Sequence, residues 1–307
     1  ITLGGADSGN YSLLNTTAAT TADITKAALT ITAQANTKVY DATTSAAATP
    51  TVTGLQGADT VTGLAEAYDT KNAGTGKTLS VSTYTVNDGN AGNNYTVTTV
   101  NDTTGVITQK DLTASYTGTD KVYDATTNAT VTGSSGDIIG GDAVTFSETA
   151  SFIDKNAGIG KTINVTGITL GGADSGNYSL LNTTATTTAD ITKKGLALSG
   201  ITAGNKVYDG TTAATVDTTG AVYTGLIGGD AVTVSATGIF DTKNVGVNKT
   251  VNLTSSYAGA DTGNYSITDQ AATTADITAK DLTASYTGTD KVYDATTAAT
   301  VTGSSGD

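Results

Sequence analysis

The sequence predicts an all-β protein built from tandem modules, and three observations support that prediction. The phrase Lys-Val-Tyr-Asp begins at Lys38, Lys121, Lys206 and Lys291, so it recurs every 83 to 85 residues. A period of this length has to be recognised first, because it changes how every other motif is interpreted. Thr and Val, which suit a half-buried pleated surface, are abundant throughout. Apolar and polar residues alternate in short segments separated by Gly- and Asp-containing turns.

The recurring phrases appear in a fixed order, which divides the chain into modules of about 84 residues. After Lys-Val-Tyr-Asp comes a charged turn such as Asp69–Gly74, then an Asn-Tyr pair, then a closing Asp-Ile-Thr or Val-Ile-Thr. The predicted domains are the C-terminal part of a repeat (1–25), repeat 1 (26–109), repeat 2 (110–192), repeat 3 (193–279) and the N-terminal part of a further repeat (280–307).

Repeat 2 illustrates the predicted strands. Leu112–Tyr116 alternates apolar and polar residues, and the turn at Asp124 separates it from a short strand at Ala129–Thr132. A longer strand leads to Ile153. Gly167 resets the alternation of the next strand, as a bulge does, before the strands that start near Tyr178 and end at Ile191. About seven short strands at regular spacing indicate a β-sandwich or a small barrel.

One local motif favours the sandwich. Asp174-Ser175-Gly176-Asn177-Tyr178 recurs at Asp7–Tyr11 and, with Thr for Ser, at Asp261–Tyr265. The spacing Asp-x-Gly-x-Tyr resembles the immunoglobulin tyrosine corner, in which a Tyr at a strand start bonds the upstream backbone. We therefore expect immunoglobulin-like β-sandwich modules arranged end to end, with β-grasp-like modules as the alternative.

The most constant positions are interpreted as structural markers of the repeat. The Tyr of each phrase is expected to pack over a sheet edge and the Asp to cap a turn, although an exposed ligand-binding patch is the competing interpretation. The markers are Tyr40, Tyr123, Tyr208, Tyr293, Asp41, Asp124, Asp209, Asp294, Tyr11, Tyr95, Tyr178 and Tyr265.

Composition restricts the available chemistry. The chain has no His, Cys, Met, Trp or Arg, and its 15 basic residues are all Lys. It therefore lacks the usual general base, nucleophile and bidentate phosphate clamp, so we expect neither an enzyme nor catalytic residues. A net charge of −13 opposes binding to nucleic acid, and no segment has the apolar length needed for membrane insertion.

No cofactor is expected, and calcium is the alternative that the aspartates leave open. Asp137 with Asp142, or Asp88 near Asn90, offers hard oxygen ligands, but no EF-hand loop is present. Solvated turn aspartates are the preferred interpretation. A Lys–Asn isopeptide crosslink is a further alternative, but the spacing assigns no such pair.

The joins between modules are short. Only 108–111 separate Ile107 from Leu112, and only 192–195 separate Ile191 from Leu196. Such joins cannot act as flexible linkers, so the neighbouring repeats of the same chain are the predicted partners. There are two alternative partners. Identical chains could assemble into a fibre through lateral pairing of exposed Thr-rich edges, and a host or matrix surface is the other alternative.

Several segments together resemble a known family. Lys206–Thr212, Gly229-Asp230-x-Val232, Asp241–Gly246 and Gly263-Asn264-Tyr265 look like the YDG-type repeat. That repeat occurs in tandem in large bacterial surface proteins, including filamentous-haemagglutinin-like adhesins. The other phrases have Ala at the glycine position, at Ala42, Ala125 and Ala295, which is tolerable if the turn needs no positive φ there.

The resemblance implies a location outside the cell, at a bacterial cell surface. We expect a structural stalk or fibre segment of a long extracellular adhesin or surface filament. The alternative is a set of multivalent adhesive repeats that bind a glycan or a protein.

Overall fold

The protein is all-β, as the sequence predicted. The computed structural model describes residues 1–306, and these residues include no α-helix. The helical segments of the described chain are three short 3-10 helices at Ser8–Asn10, Ser175–Asn177 and Thr262–Asn264. Each directly precedes the Tyr of an Asn-Tyr pair. A helix long and apolar enough to cross a membrane does not occur within residues 1–306.

The strands follow the period of the sequence. In repeat 1 they are β1 (Ala27–Thr32), β2 (Thr37–Val39), β3 (Thr51–Thr53), β4 (Thr60–Tyr68), β5 (Gly74–Asn87), β6 (Tyr95–Val100) and β7 (Asp102–Thr108). In repeat 2 they are β8 (Lys110–Leu112), β9 (Ser115–Thr119), β10 (Lys121–Val122), β11 (Thr130–Ser134), β12 (Thr145–Phe152), β13 (Gly158–Gly171), β14 (Tyr178–Leu180) and β15 (Thr184–Thr192).

Repeat 3 and the segment after it add twelve strands. They are β16 (Lys194–Ser199), β17 (Thr202–Ala203), β18 (Lys206–Val207), β19 (Ala213–Ala214), β20 (Val216–Asp217), β21 (Val222–Thr224), β22 (Thr233–Phe240), β23 (Gly246–Ala258), β24 (Tyr265–Thr268), β25 (Ala272–Thr278), β26 (Ala284–Thr289) and β27 (Thr300–Ser305).

Each repeat contributes a small sheet in which its first strand pairs in parallel with the strand that starts at the Asn-Tyr tyrosine. The register is the same in all three repeats: Ala27 faces Tyr95, Lys110 faces Tyr178 and Lys194 faces Tyr265. The strand orders are β3-β1-β6, β14-β8 and β21-β16-β24. We call these small sheets, with the loops attached to them, the heads of the repeats.

Each repeat also contributes a large sheet that contains the start of the Lys-Val-Tyr-Asp phrase. There the Lys-Val strand pairs in parallel with the closing strand, so that Lys38 faces Ile107, Lys121 faces Ile191 and Lys206 faces Ile277. The strand orders are β2-β7-β5-β4, β10-β15-β13-β12 and β18-β25-β23-β22-β19. We call these large sheets, with their loops, the tails.

Burial along β13 confirms that the alternation of apolar and polar residues shifts by one position at Gly167, as predicted. Ile163 and Val165 are fully buried, and the next buried residue is Ile168, three positions on rather than two. Gly167 lies between them with φ +66°, the left-handed conformation that glycine adopts without steric cost. The extra residue returns the apolar side chains to the inner face.

The chain forms two compact units, and the division between them runs through repeat 2. Unit 1 comprises 1–114, 135–147 and 169–182. Unit 2 comprises 115–134, 148–168 and 183–307, of which 183–306 are described. Unit 1 therefore contains all of repeat 1 with the head of repeat 2, and unit 2 contains the tail of repeat 2 with repeat 3.

Both joins between repeats lie inside a compact unit. In unit 1 only Gln109 separates β7 from β8, and in unit 2 only Lys193 separates β15 from β16. Since the tail of one repeat runs almost without interruption into the head of the next, each unit contains a complete repeat junction.

The turn after each phrase differs from the sequence expectation at one position. Ala42, Ala125 and Ala295 have φ of 63°, 62° and 61°, and Gly210 has φ of 80° at the equivalent place. The turn therefore adopts a positive φ at this position. Ala was expected to be tolerated here only if no positive φ was needed, and that condition is not met. An L-residue pays a steric cost in this conformation, because its Cβ approaches the following carbonyl oxygen.

Candidate functional site

The Tyr of the phrase is buried wherever a head follows its tail within the same compact unit. Tyr40 and Tyr123 are 2% and 1% exposed. Tyr208, in the tail of repeat 3, is only half-buried, and Tyr293 is 91% exposed. Tyr40 and Tyr123 are therefore interior groups of their units, which disfavours them as an exposed ligand-binding patch.

In unit 1 the buried Tyr40 meets a carboxylate of the following repeat. The hydroxyl groups of Tyr40 and Tyr178 both donate to Asp142 Oδ2, at 2.8 and 2.7 Å. Lys71 Nζ lies 3.1 Å from the other carboxylate oxygen of Asp142. The two tyrosine rings pack edge to face, with centroids 5.6 Å apart. We call this set of four residues, Tyr40, Lys71, Asp142 and Tyr178, the unit 1 junction cluster.

Unit 2 contains the same arrangement one repeat later. Tyr123 donates to Asp230 Oδ1 at 3.2 Å, and Tyr265 donates to Asp230 Oδ2 at 2.5 Å. Lys155 Nζ lies 3.3 Å from Asp230 and 3.1 Å from Asp261. The rings of Tyr123 and Tyr265 are again 5.6 Å apart and edge to face. Tyr123, Lys155, Asp230 and Tyr265 form the unit 2 junction cluster.

A second contact at each junction uses the Asn of the Asn-Tyr pair. Asn177 Oδ1 accepts a hydrogen bond from the backbone N–H of Ala73 at 2.9 Å, and Asn264 Oδ1 accepts one from Ala157 at 2.9 Å. Both asparagines are almost fully buried, at 4% and 3% exposure. The charged turn of one repeat is thereby fixed to the 3-10 helix of the next.

The apolar core of unit 1 continues through the junction. Tyr68, Leu79 and Ile107 from the tail of repeat 1 form one buried cluster with Leu112 and Tyr178 from the head of repeat 2. Partly buried side chains of repeat 2 pack against it, namely Ile138, Ile139, Val144, Phe146, Leu170 and Leu180. Because this core is shared, separating the two repeats would expose apolar surface as well as break polar contacts.

The carboxylate at the centre of each cluster is held in its ionised form. The side chains of Asp142 and Asp230 are only 2% and 3% exposed. Burial opposes ionisation, but hydrogen bonds from the two tyrosines and from Lys71 or Lys155 outweigh it and lower the pKa of both carboxyls. Burial and the adjacent carboxylate also raise the pKa of Tyr178 and of Tyr265 to about 12.

The Asp of each phrase caps its own turn, as the sequence predicted. Asp41 Oδ1 accepts the backbone N–H of Thr43, two residues on, and the same bond recurs at Asp124, Asp209 and Asp294. The Lys that begins the phrase lies 2.7 to 2.9 Å from the same oxygen in all four copies. Hydrogen bonds from Lys206 and Thr211 lower the pKa of Asp209 to about 2.

The Tyr of the Asn-Tyr pair reaches farther than the predicted corner. The Tyr178 hydroxyl accepts the backbone N–H of Ile139, 39 residues upstream, while donating to Asp142. Tyr95 and Tyr265 accept corresponding bonds from Gln56 and Ile227. A tyrosine corner bonds the backbone only a few residues upstream, so these tyrosines instead connect two separate segments of the head. Tyr11, in the first 25 residues, is 74% exposed.

Comparison with known families agrees with this periodic structure. A model of the YDG domain matches the chain three times, at residues 25–104, 108–188 and 192–275. The chain belongs to the YDG domain family. No curated protein and no solved structure matches it. Each junction cluster therefore takes Tyr and Lys from one YDG repeat, and Asp and a second Tyr from the next.

Sequence reasoning identified the tyrosines of the YDG repeats but did not identify Asp142 and Asp230 as their partners. Asp142 was grouped with Asp137 as a calcium alternative, whereas Asp137 accepts the N–H of Thr113 and Asp142 accepts both tyrosines. Asp88 likewise accepts three backbone N–H groups of its own turn. Within residues 1–306 no group of three or more acidic side chains is placed to hold a metal ion. Two recurring sequence features could have predicted the cluster. One is Gly-Gly-Asp, which contains Asp142 and Asp230, and the other is the Lys of the charged turn, Lys71 and Lys155.

Proposed function

We propose that the chain is a structural segment of an extracellular stalk or fibre, in which each junction cluster holds consecutive YDG repeats in a fixed relation. The observation that carries the proposal is that Tyr40–Asp142–Tyr178 recurs as Tyr123–Asp230–Tyr265. A stalk needs each repeat to resist rotation against its neighbour. A buried, charge-assisted cluster supplies directional contacts that a purely apolar interface lacks.

The proposed module is an immunoglobulin-like β-sandwich of about 84 residues. The recurrence of one small and one large sheet in each repeat, with the same registers in all three, supports a module of this length. The β-grasp-like alternative usually requires a helix packed on its sheet. The proposed setting is the bacterial cell surface, within a long adhesin, as the resemblance implies. The proposal assigns the chain no catalysis and no cofactor.

Small-angle X-ray scattering of the full chain tests the structural role. We compare the parent chain with the double variant Asp142→Ala/Asp230→Ala, and use Asp7→Ala/Asp23→Ala, at exposed aspartates, as the matched control. The scattering profile of the double variant is expected to indicate a more flexible chain than that of the parent. The profile of the control is expected to match that of the parent. A parent profile as flexible as that of the double variant would contradict the stalk.

Multivalent adhesion is the second candidate, and one observation favours it. The Val of the phrase is exposed to the same extent in each complete repeat, with Val39, Val122 and Val207 at 57%, 56% and 55%. A weak contact made at three equivalent positions would gain affinity by avidity. A glycan and matrix-protein array, probed with the parent and with all three valines changed to Ser, tests it. Binding that is lost in the triple variant would support adhesion, and no binding by the parent would contradict it.

A further inference from the structure

The first and last segments of repeat 3 run side by side in the same direction. β16 pairs in parallel with β24 over four consecutive residues, beginning where Lys194 faces Tyr265. Farther along the same two segments, β18 pairs in parallel with β25. We call 194–208 the entry segment of repeat 3 and 265–278 its exit segment, because the chain enters the repeat through one and leaves it through the other.

Side-chain amides join the two segments where their strands are interrupted. Gln270 Nε2 donates to the carbonyl oxygen of Ile201 at 2.8 Å, and Gln270 Oε1 accepts the N–H of Ile201 at 2.9 Å. Asn205 Oδ1 accepts the N–H of Asp276 at 2.7 Å. The amide of Gln270 thus makes the two bonds that a facing strand would make, so the entry and exit segments stay connected between their paired strands.

Repeats 1 and 2 contain the same arrangement. In repeat 1, β1 pairs in parallel with β6 over six residues and β2 pairs with β7 over three, and between them the N–H of Ala33 donates to the carbonyl oxygen of Val100 at 2.9 Å. In repeat 2, β8 pairs with β14 and β10 pairs with β15. Asn182 there accepts the N–H of Ala114 and donates to the carbonyl oxygen of Ala114. Parallel entry and exit segments are therefore a property of every complete repeat.

Burial protects the bonds between the two segments of repeat 3. Leu196 and Ile201 in the entry segment, and Tyr265 and Ile277 in the exit segment, are at most 3% exposed. Because water has little access to the backbone beside these side chains, a stretched hydrogen bond is not replaced by a bond to solvent.

Tension along the chain would load these parallel pairs in shear. The force pulls the start of the entry segment backward and the end of the exit segment forward. Since parallel strands point the same way, the two forces act in opposite directions along the strand axis. All the bonds between the segments then carry the load together, whereas the bonds of a hairpin pulled apart at its open end break one after another.

We propose that the parallel entry and exit segments form a mechanical clamp, and that each YDG repeat bears tension along the chain. The load passes through the backbone bonds inside a repeat, while the junction clusters fix one repeat against the next. The inference rests on the proposed function, because a stalk that connects a surface to a distant element transmits pulling forces.

Single-molecule force spectroscopy of the full chain tests the clamp through the direction of pulling. The sequence has no Cys, so introduced pairs of cysteines define the points of attachment. Lys193→Cys with Lys280→Cys, at exposed positions that flank the entry and exit segments, pulls the clamp in shear. Thr233→Cys with Ala258→Cys, which face each other at the open end of the β22–β23 hairpin, pulls the hairpin strands apart. The unfolding force in shear is expected to be about three-fold higher than in the hairpin direction.

A substitution at the amide of the exit segment gives the residue-level test. Gln270→Ala removes both bonds to Ile201, so it is expected to raise the unfolding rate under shear about ten-fold and to leave the rate in the hairpin direction unchanged. The matched control Ser235→Ala removes the hydroxyl bond to Ser256, which lies across the β22–β23 hairpin. The control is expected to keep the shear rate within about two-fold of the parent.

Two results would overturn the clamp. One is a shear force no higher than the force in the hairpin direction. The other is an equal effect of Gln270→Ala in both directions, which a general loss of stability would produce. The scattering experiment instead uses Asp142 and Asp230, which lie outside the entry and exit segments. A failed clamp with intact scattering differences would therefore reject the load-bearing role and leave the stalk proposal standing.

Discussion

Tyr40 and Asp142 are separated by 102 residues, lie in different repeats and share a buried hydrogen bond of 2.8 Å. Tyr123 and Asp230, 107 residues apart, repeat the relationship at the next junction. The most constant phrase of the sequence therefore serves the contact between repeats, while its Asp caps a local turn.

Removal of the central carboxylate is expected to destabilise unit 1. Asp142→Ala leaves two tyrosine hydroxyls and Lys71 without their acceptor, which should cost about 3 kcal/mol. Urea unfolding followed by tyrosine fluorescence measures the loss. Asp23→Ala, at an exposed position, is the control and should be neutral. A loss below about 0.5 kcal/mol for Asp142→Ala would show that the cluster does not stabilise the junction.

The turn after the phrase offers a matched pair of substitutions. Ala125 has φ 62°, so Ala125→Gly should relieve a steric cost and stabilise the protein by about 1 kcal/mol. Gly210→Ala should destabilise it by a similar amount. A Cβ at Gly210 would meet no atom within 4 Å, so backbone conformation alone sets the effect. Melting temperatures that move in the same direction for both substitutions would contradict this account.

Acid should weaken the junctions within a defined pH range. Asp142 and Asp230 have pKa values below the ordinary 3.8, so their ionised forms stabilise the folded state. That stabilisation is fully present above the unfolded pKa and is lost as the pH falls through the folded one. Thermal melts between about pH 6 and 2 should show a loss that Asp142→Asn/Asp230→Asn reduces. Identical pH profiles for the parent and this variant would refute the assignment.

Alkaline titration tests the same clusters through the ionisation of their tyrosine hydroxyls. The pKa of Tyr178 and of Tyr265 is raised from 10 to about 12, so their contribution to stability persists below pH 10 and is lost as the pH approaches 12. Phenolate absorbance should reveal this late-titrating fraction. Asp142→Asn should return Tyr178 toward its ordinary pKa, because the adjacent negative charge is removed. An unchanged titration curve in that variant would count against the contact.

The sequence predicted the positions of the strands better than the pairing between them. Alternation of apolar and polar residues identified the β13 strand and the reset at Gly167, because side-chain direction is a local property. The parallel pairing of β1 with β6 joins distant segments and leaves no local signal. The boundary between the two compact units also falls inside repeat 2 and not between repeats. A periodic sequence does not indicate where one structural unit begins.

Self-similarity is also the reason why the junction cluster was not predicted. Every repeat supplies an equivalent Tyr and, in a separate loop, an equivalent Asp, so a recurring Tyr has a candidate partner both in its own repeat and in the next. Tyr123 lies 19 residues before Asp142 in the sequence, yet Asp142 receives the hydroxyl of Tyr40. Only the folded path of the chain distinguishes the two pairings.

A double-mutant cycle across the boundary between repeats tests the central claim most directly. The free energy of unfolding is measured for the full chain, for Tyr40→Phe, for Asp142→Ala and for the double variant, with Asp23→Ala replacing Asp142→Ala in a control cycle. The junction account predicts a coupling energy of about 1 kcal/mol for Tyr40 with Asp142 and none for Tyr40 with Asp23. Additivity of Tyr40→Phe and Asp142→Ala within about 0.3 kcal/mol would contradict it.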